Sequence, residues 1–314
     1  MNLEKELSQV APKHNVALTI GVFDGVHEGH KYLVNHLKSK ASEQSLLSGI
    51  VTFSNHPLEI LSPDTQLSYL TTLDDRVQLL MNLGVDFVIP LSFTHELAGT
   101  SARDFVSLLQ HQLKMMLMVI GPDFALGRVR EGNISTLSVL GKEMGFSVES
   151  LPPMKSNGQV ISSTAIRRAL VEGDILTAEK LLGRLVLLHG KVVHGAERGR
   201  TLGFPTANLA VNSNQAIPAY GVYVTRALIN GHSYPSVTNI GNRPTFPGQD
   251  ATIEVYLLDF AGDIYDTDLR LEILDRLRGE QRFASADELI TQINRDVEQA
   301  RLLLELHSEQ VTTH

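Results

Sequence analysis

The chain has 314 residues and a formal net charge of -8, from 27 basic and 35 acidic residues mixed along its length. That length exceeds what one hydrophobic core usually sustains, so two domains are expected, and the absence of a Lys/Arg run argues against a nucleic-acid partner. With no cysteine, disulfides, thiolate metal sites and cysteine nucleophiles are excluded, and nothing calls for an oxidising compartment.

At the N-terminus there is no basic segment followed by an apolar core, and no later apolar run nears the roughly 18 residues of a membrane span. The expected location is the cytoplasm, with no membrane partner. From Val16 to about Gly183, short apolar runs alternate with amphipathic stretches. The runs Val16–Phe23, Gly49–Phe53, Val85–Leu91, Met115–Ile120 and Phe146–Glu149 have the length and composition of buried parallel strands. Between them, Thr72 ahead of Asp75, and Ser101 with Asp104, read as helix starts. This half is expected to be a doubly wound α/β sheet. After Leu182–Gly183 strands follow one another without helices, which sets the expected domains at 1–182 and 183–314. Asn230–Gly231 predicts a type I′ hairpin, and Ala261–Gly262–Asp263 a second strand connection. Ser285 with Glu288 predicts a capped closing helix whose stripe is Leu289, Ile293, Val297, Ala300 and Leu304.

The segment from Gly21 to His30, GVFDGVHEGH, falls between the first strand and the first helix, where open α/β sheets bind ligands. Gly21 and Gly29 allow close backbone approach, a helix N-terminus favours anions, and His27 and His30 can donate to phosphate oxygens. A polyphosphate is the expected ligand; the competing reading is two incidental histidines in a Gly-rich turn. No Walker A string is present, and the histidine spacing is one residue short of H-E-x-x-H. In Ile161–Arg167, Ser162, Ser163 and Thr164 suit a helix N-cap, and Arg167 lies one turn beyond Ser163, in reach of a phosphate.

In the second half, Thr206 and Asn208 are two apart in G-F-P-T-A-N and share one side of an extended chain, so their oxygens can face one ion; Mg²⁺ takes such hard oxygens. Gly195, Gly199 and Gly203 recur every fourth residue with Arg198 and Arg200 between, as in a flap over phosphates. A Gly-rich hairpin before a Pro-broken strand is the plainer alternative. On Thr252–Leu258, Ile253, Val255 and Leu257 face one way and Glu254 the other, which suits either a general base or a solvent-facing glutamate.

Taken together, these segments resemble the nucleotidyltransferases with an H-x-G-H signature and, within them, the prokaryotic bifunctional riboflavin kinase/FAD synthetases, over nearly the whole chain. Gly21–His30, Thr52–Pro57, Leu70–Leu73, Gly121–Gly132 and Ile161–Arg167 fall in that family's order, as do Pro-Thr-Ala-Asn, Asn239-Ile240-Gly241 with Arg243-Pro244-Thr245, and the Glu254 strand. The resemblance implies a Rossmann-like α/β nucleotidyltransferase domain with a parallel sheet, then an antiparallel β-barrel riboflavin kinase domain with a closing helix. It implies that riboflavin is phosphorylated to FMN and FMN adenylylated to FAD, each with ATP and Mg²⁺. His27, His30 and Arg167 would neutralise the triphosphate, with Gly21, Phe23, Asp24, Gly29, His56, Asp123, Arg130, Ser163 and Thr164 binding nucleotide and flavin. Glu254 would be the kinase base and Thr206 and Asn208 the Mg²⁺ ligands, with Gly199, Arg200 and Gly203 at the phosphates and Arg278 and Phe283 near the flavin. Ser54, Asn55, Ala125 and Leu126 depart from the family's usual residues. They leave open a kinase with a weaker or redirected first domain; a non-catalytic flavin binder is the third reading.

Overall fold

The structure, a computed structural model, describes residues 3–195, 199, 202–242 and 251–312, with side chains of the last helix described as far as His307. The chain forms two compact units: one from the residues up to Leu67 with Thr71–Ser163, the other from Ser68–Leu70 with Thr164 onward.

The first unit is built on a five-stranded sheet of β1 (Val16–Gly21), β2 (Leu47–Phe53), β3 (Phe87–Leu91), β4 (Met115–Ile120) and β5 (Ser147–Ser150). All neighbours are parallel, in the order β3-β2-β1-β4-β5. Alternate residues feed a core on each face: Val16, Leu18 and Ile20 join Phe105 and Leu109 of the helix Ala102–Leu113, while Ala17 joins Val34 and Leu37 of the helix Glu28–Glu43. This two-sided burial is why the strands read as continuous apolar runs. Leu18 is fully buried, and Leu18→Ala would cost about 2–5 kcal/mol. The first run ends at Gly21, earlier than its apolar pattern suggests, because Phe23 adopts φ +53 and leaves the pleat. Likewise β3 begins at Phe87 and β5 spans Ser147–Ser150. A small hairpin, β6 (Lys155–Ser156) and β7 (Gln159–Val160), turns through Asn157 and Gly158, both at positive φ.

The second unit carries a closed barrel of β8 (Val186–Val193), β9 (Ala207–Val211), β10 (Gly221–Ile229), β11 (His232–Gly241), β12 (Thr252–Leu257) and β13 (Asp268–Gly279), ordered β10-β11-β12-β9-β8-β13. Asn230 (φ 49) and Gly231 (φ 80) make the two-residue turn between paired Ile229 and His232. The connection through Ala261–Asp263 is a crossover, since β13 pairs with β10 and β8 and not with β12. Inside the wall, the hydroxyls of Thr225, Ser236 and Thr238 satisfy one another at 2.8 and 2.7 Å. The closing helix Ala286–Thr312 starts with Glu288 N donating to Ser285 Oγ. Val297, Ala300 and Leu304 pack against Val222, Val224 and Val237 of the barrel. The helices Ser163–Glu172 and Ile175–Leu182 precede the barrel, and all of this stretch beyond Ser163 belongs to the second unit.

Candidate active sites

The strand order puts the loops after β2, β1 and β4 at one end of the sheet, and the chain reverses its direction of winding between β1 and β4, the usual binding crevice of such sheets. The loop after β1 is held in a conformation its residues resist. Phe23 (φ 53), Gly25 (φ 83) and Val26 (φ 39) all lie in the left-handed region, which a β-branched residue avoids. Buried partners fix it. Val22 O accepts from Thr52 Oγ1 at 3.0 Å and from Arg76 Nη1 at 2.7 Å. Asp24, 2% exposed, accepts from Thr71 N and Oγ1 at 3.2 Å each, and Gly25 N donates to Thr71 Oγ1. Ser163, the first residue of its helix, donates Oγ to Asp24 O at 2.9 Å, so its hydroxyl ties the loop down where the sequence suggested a helix cap.

His27 is the N-cap of the helix Glu28–Glu43. Its Nδ1 accepts from His30 N at 3.3 Å, which leaves the ring proton on Nε2 as a donor. The His27 and His30 rings stack at 3.6 Å, and Phe23 lies edge-on to His30 at 5.1 Å. A Cβ on Gly29 would stand 3.2 Å from the His27 ring and 3.3 Å from Ile161 O, and one on Gly21 would stand 3.1 Å from the Phe23 ring. The structure therefore brings Gly21, Phe23, Asp24, His27, Gly29, His30 and Ser163 into one constellation.

At the end of β2, His56 repeats the device, its Nδ1 accepting from Leu58 N at 3.1 Å as N-cap of the helix Pro57–Leu61. The neighbouring departures turn inward. Asn55 Oδ1 accepts from Phe93 N at 2.8 Å and its Nδ2 donates to Phe93 O at 2.9 Å, while Ser54 bonds Leu91 O. After β4, Leu126 is buried and pairs by its backbone with Gly132, so the departure there fills a loop neck; Arg130 at the exposed tip donates to Asp123 O at 2.9 Å. Thr164 is exposed, and Arg167 Nε donates to Ser68 O.

In the second unit the barrel register does the assembling. Asn208 on β9 pairs with Glu254 on β12, which pairs with Asn239 on β11. Direct cross-strand partners share a face with Cβ atoms about 5 Å apart, so carboxylate and amides form one row. Along β12, Ile253, Val255 and Leu257 are buried and Glu254 is half-buried on the opposite face. Thr206 lines a cleft of about 640 Å³ with Pro205, Val255, Phe260 and Tyr265. A Cβ on Gly195 would fall 1.9 Å from Asn208 Nδ2, and one on Gly199 would fall 3.1 Å from Thr206 Oγ1. Neither position has room for a side chain. Gly203 takes φ +87 in the turn that returns the chain, with Leu202 N and Phe204 N both donating to Gly199 O. Arg278 forms a buried ion pair with Asp296 and lies 5.7 Å from the Phe283 ring. Arg198, Arg200 and residues 243–245 lie outside the described residues.

Thr52, Thr71 and Asn239 fall in segments that carry the family resemblance but are given no role there, and Arg76 and Asp296 lie outside those segments. Asp296 left a signal, a charged residue on the closing helix's apolar stripe; the clamping roles left none, because Thr52, Thr71 and Arg76 act from a strand, a turn and the helix Leu73–Met81 that only the fold brings together.

The family model described as FAD synthetase matches residues 9–165, and that described as riboflavin kinase matches residues 182–304. A curated Escherichia coli (strain K12) protein named bifunctional riboflavin kinase/FMN adenylyltransferase is 41% identical over 297 residues, covering 94% of both chains. The chain belongs to this family. Proteins of the same name from Pseudomonas fluorescens and Bacillus subtilis are 40% and 35% identical, over 96% and 90% of this chain and 98% and 90% of theirs. The chain thus carries both a riboflavin kinase and an FMN adenylyltransferase domain, and ATP is the co-substrate of both activities. A solved structure described as a macrolide-efflux protein from Streptococcus pneumoniae has the same fold, with 31% identity, 94% of this chain, 96% of that one and TM-score 0.85. Among the described residues no helix is long and apolar enough to cross a membrane.

Proposed function

We propose that the two activities run at separate residue sets, FMN adenylylation at the His27–His30 loop and riboflavin phosphorylation at the Asn208–Glu254 row, with the functional boundary at Leu182/Gly183. The kinase family match, which begins at 182, supports that boundary, although the packing of the two preceding helices assigns them to the second unit. The observation that carries the kinase half is the register pairing of Asn208 with Glu254, beside a segment kept clear by glycines.

In the first reaction Glu254 accepts the proton of the riboflavin 5′-hydroxyl as its oxygen attacks the γ-phosphorus of ATP; the bond to the β-phosphate oxygen breaks and ADP leaves. Thr206 Oγ1 and the Asn208 amide oxygen fit Mg²⁺, being hard, neutral donors whose places a Cβ on Gly199 would crowd and one on Gly195 would overlap. Bound there, Mg²⁺ would supply charge neutralisation on the transferring phosphates. Gly199, Arg200 and Gly203 complete the phosphate side.

In the second reaction an FMN phosphate oxygen attacks the α-phosphorus of ATP, the α–β bridge breaks and diphosphate leaves. His27 Nε2–H, His30 and the helix N-terminus at Glu28 stabilise the charge, positioning and electrostatics being the main contributions in such chemistry. Gly21, Phe23, Asp24, Gly29 and Ser163 hold the nucleotide, and His56, Asp123 and Arg130 face the flavin phosphate. The partners are small molecules, riboflavin, FMN, FAD and ATP, and the expected compartment is the cytoplasm. Incubation with riboflavin, ATP and Mg²⁺, resolved by chromatography over time, should give FMN and then FAD. FMN without FAD would remove the first-unit assignment, and neither product would remove both.

A further inference from the structure

Among the described residues, Asp296 is the one buried carboxylate of the second unit, 4% exposed on the face of the closing helix that also presents Val297 and Ala300 to the barrel. A carboxylate there is costly unless its oxygens are matched, and an apolar residue would serve packing as well. Its partners are specific. Arg278 Nε lies 3.0 and 3.1 Å from its two oxygens, Arg278 Nη2 lies 2.8 Å from Oδ2, and Gln292 Nε2 lies 2.8 Å from Oδ1. Arg278 Nη1 donates to Gly279 O at 3.2 Å, and the guanidinium carbon stands 5.7 Å from the Phe283 centroid. Fastened along one edge and set against a ring, the guanidinium is a fixed planar cation.

Its place in the barrel adds a direction. The register runs Asn208–Glu254–Asn239–Val222–Arg278, so Arg278 ends the row that contains the proposed base. Three strand spacings separate it from Glu254, about 14 Å along the curved wall. The ladder of β13 shifts register between Arg276 and Arg278, a bulge of the kind that re-aims a side chain beside a site. A substrate with its reactive hydroxyl at Glu254 and a planar ring at the far end of a flexible chain would bring that ring toward Arg278 and Phe283.

We propose that Asp296 is a positioning residue of the kinase site, holding Arg278 flat beside Phe283 so that the pair forms a rigid platform for the ring of riboflavin; this rests on the kinase assignment above. Asp296→Asn and Asp296→Glu in the full chain test it, with both reactions measured on each preparation. Asp296→Asn should raise KM for riboflavin about tenfold, leave KM for ATP and kcat within about twofold and spare FMN adenylylation, and Asp296→Glu should recover part of the loss. Combining it with Arg278→Lys should add little beyond the larger single effect. An unchanged riboflavin KM, whatever the melting temperature, overturns the proposal, as does an equal loss on both substrates. If Asp296→Asn does not fold, Gln292→Ala, which removes one bond to the same carboxylate, is read by the same selective rise or its absence. Failure of the underlying assignment would appear separately, as FMN formation surviving Glu254→Gln.

Discussion

Two glycine-rich segments lie at the two proposed sites, and they solve different problems. In Gly21–His30 the backbone itself is unusual: residues at positive φ are held by Thr52, Thr71, Arg76 and Ser163, so the loop's shape is set by the chain's own buried contacts. In Gly195–Asn208 the glycines matter for what they lack, since side chains there would occupy the space of Asn208 and Thr206. A loop strained into shape needs many buried partners. A segment lying close to a strand needs only small residues and a correct register.

The sharpest test of that separation is reciprocal. Glu254→Gln should lower riboflavin phosphorylation by about 10²–10⁴ while sparing adenylylation, and His30→Ala should do the converse; equal damage to both activities in either variant ends the two-site reading. Gly195→Ala comes next, because its Cβ would overlap Asn208: kinase kcat should fall about 100-fold with adenylylation intact. Gly29→Ala meets His27 at a looser 3.2 Å, and adenylylation should drop about tenfold, the cost of a modest displacement. Should Gly29→Ala prove the more damaging of the two, the contrast between shaped backbone and vacated space is reversed.

The smallest effect belongs to charge at the surface. Both Arg301 nitrogens bond Asp259, and these hydrogen bonds, with the cation's charge, hold the Asp259 carboxyl below its ordinary pKa. The pair's contribution is present above the unfolded carboxyl's titration and lost as pH falls through the lower folded value. Because Asp259 is 73% exposed, solvent screens it, and Asp259→Asn should shift thermal unfolding little at neutral pH and less still in acid. A large shift would mean that the pair fastens the closing helix.

The parallel strands, the Asn230–Gly231 turn and the Ser285 cap were legible because each is written locally, as an apolar run, a dipeptide or a spacing. His27 and Glu254 were legible as candidates for the same reason. Their surroundings were not: Thr71 meets Asp24, and Asn239 meets Glu254, only through pairings made by the folded chain. The early end of β1 was hidden because Val22 and Phe23 continue the apolar run while the backbone turns away. The Asn157–Gly158 turn carried the same dipeptide signal as Asn230–Gly231, but its strands are two residues long and show no alternation.

Closure of the barrel also sets a timetable for synthesis. The five-stranded sheet is complete once Ser150 has been made, whereas Val186 must wait for its partner Ile273, and the seam between β8 and β13 cannot form before then. Pairings so distant in sequence are slow to find. On the ribosome, the first unit can therefore collapse early, while β8 to β12 emerge with an unsealed seam. Release of the last helix and of β13, its immediate predecessor, is the step that turns an open ribbon into a cylinder without edges.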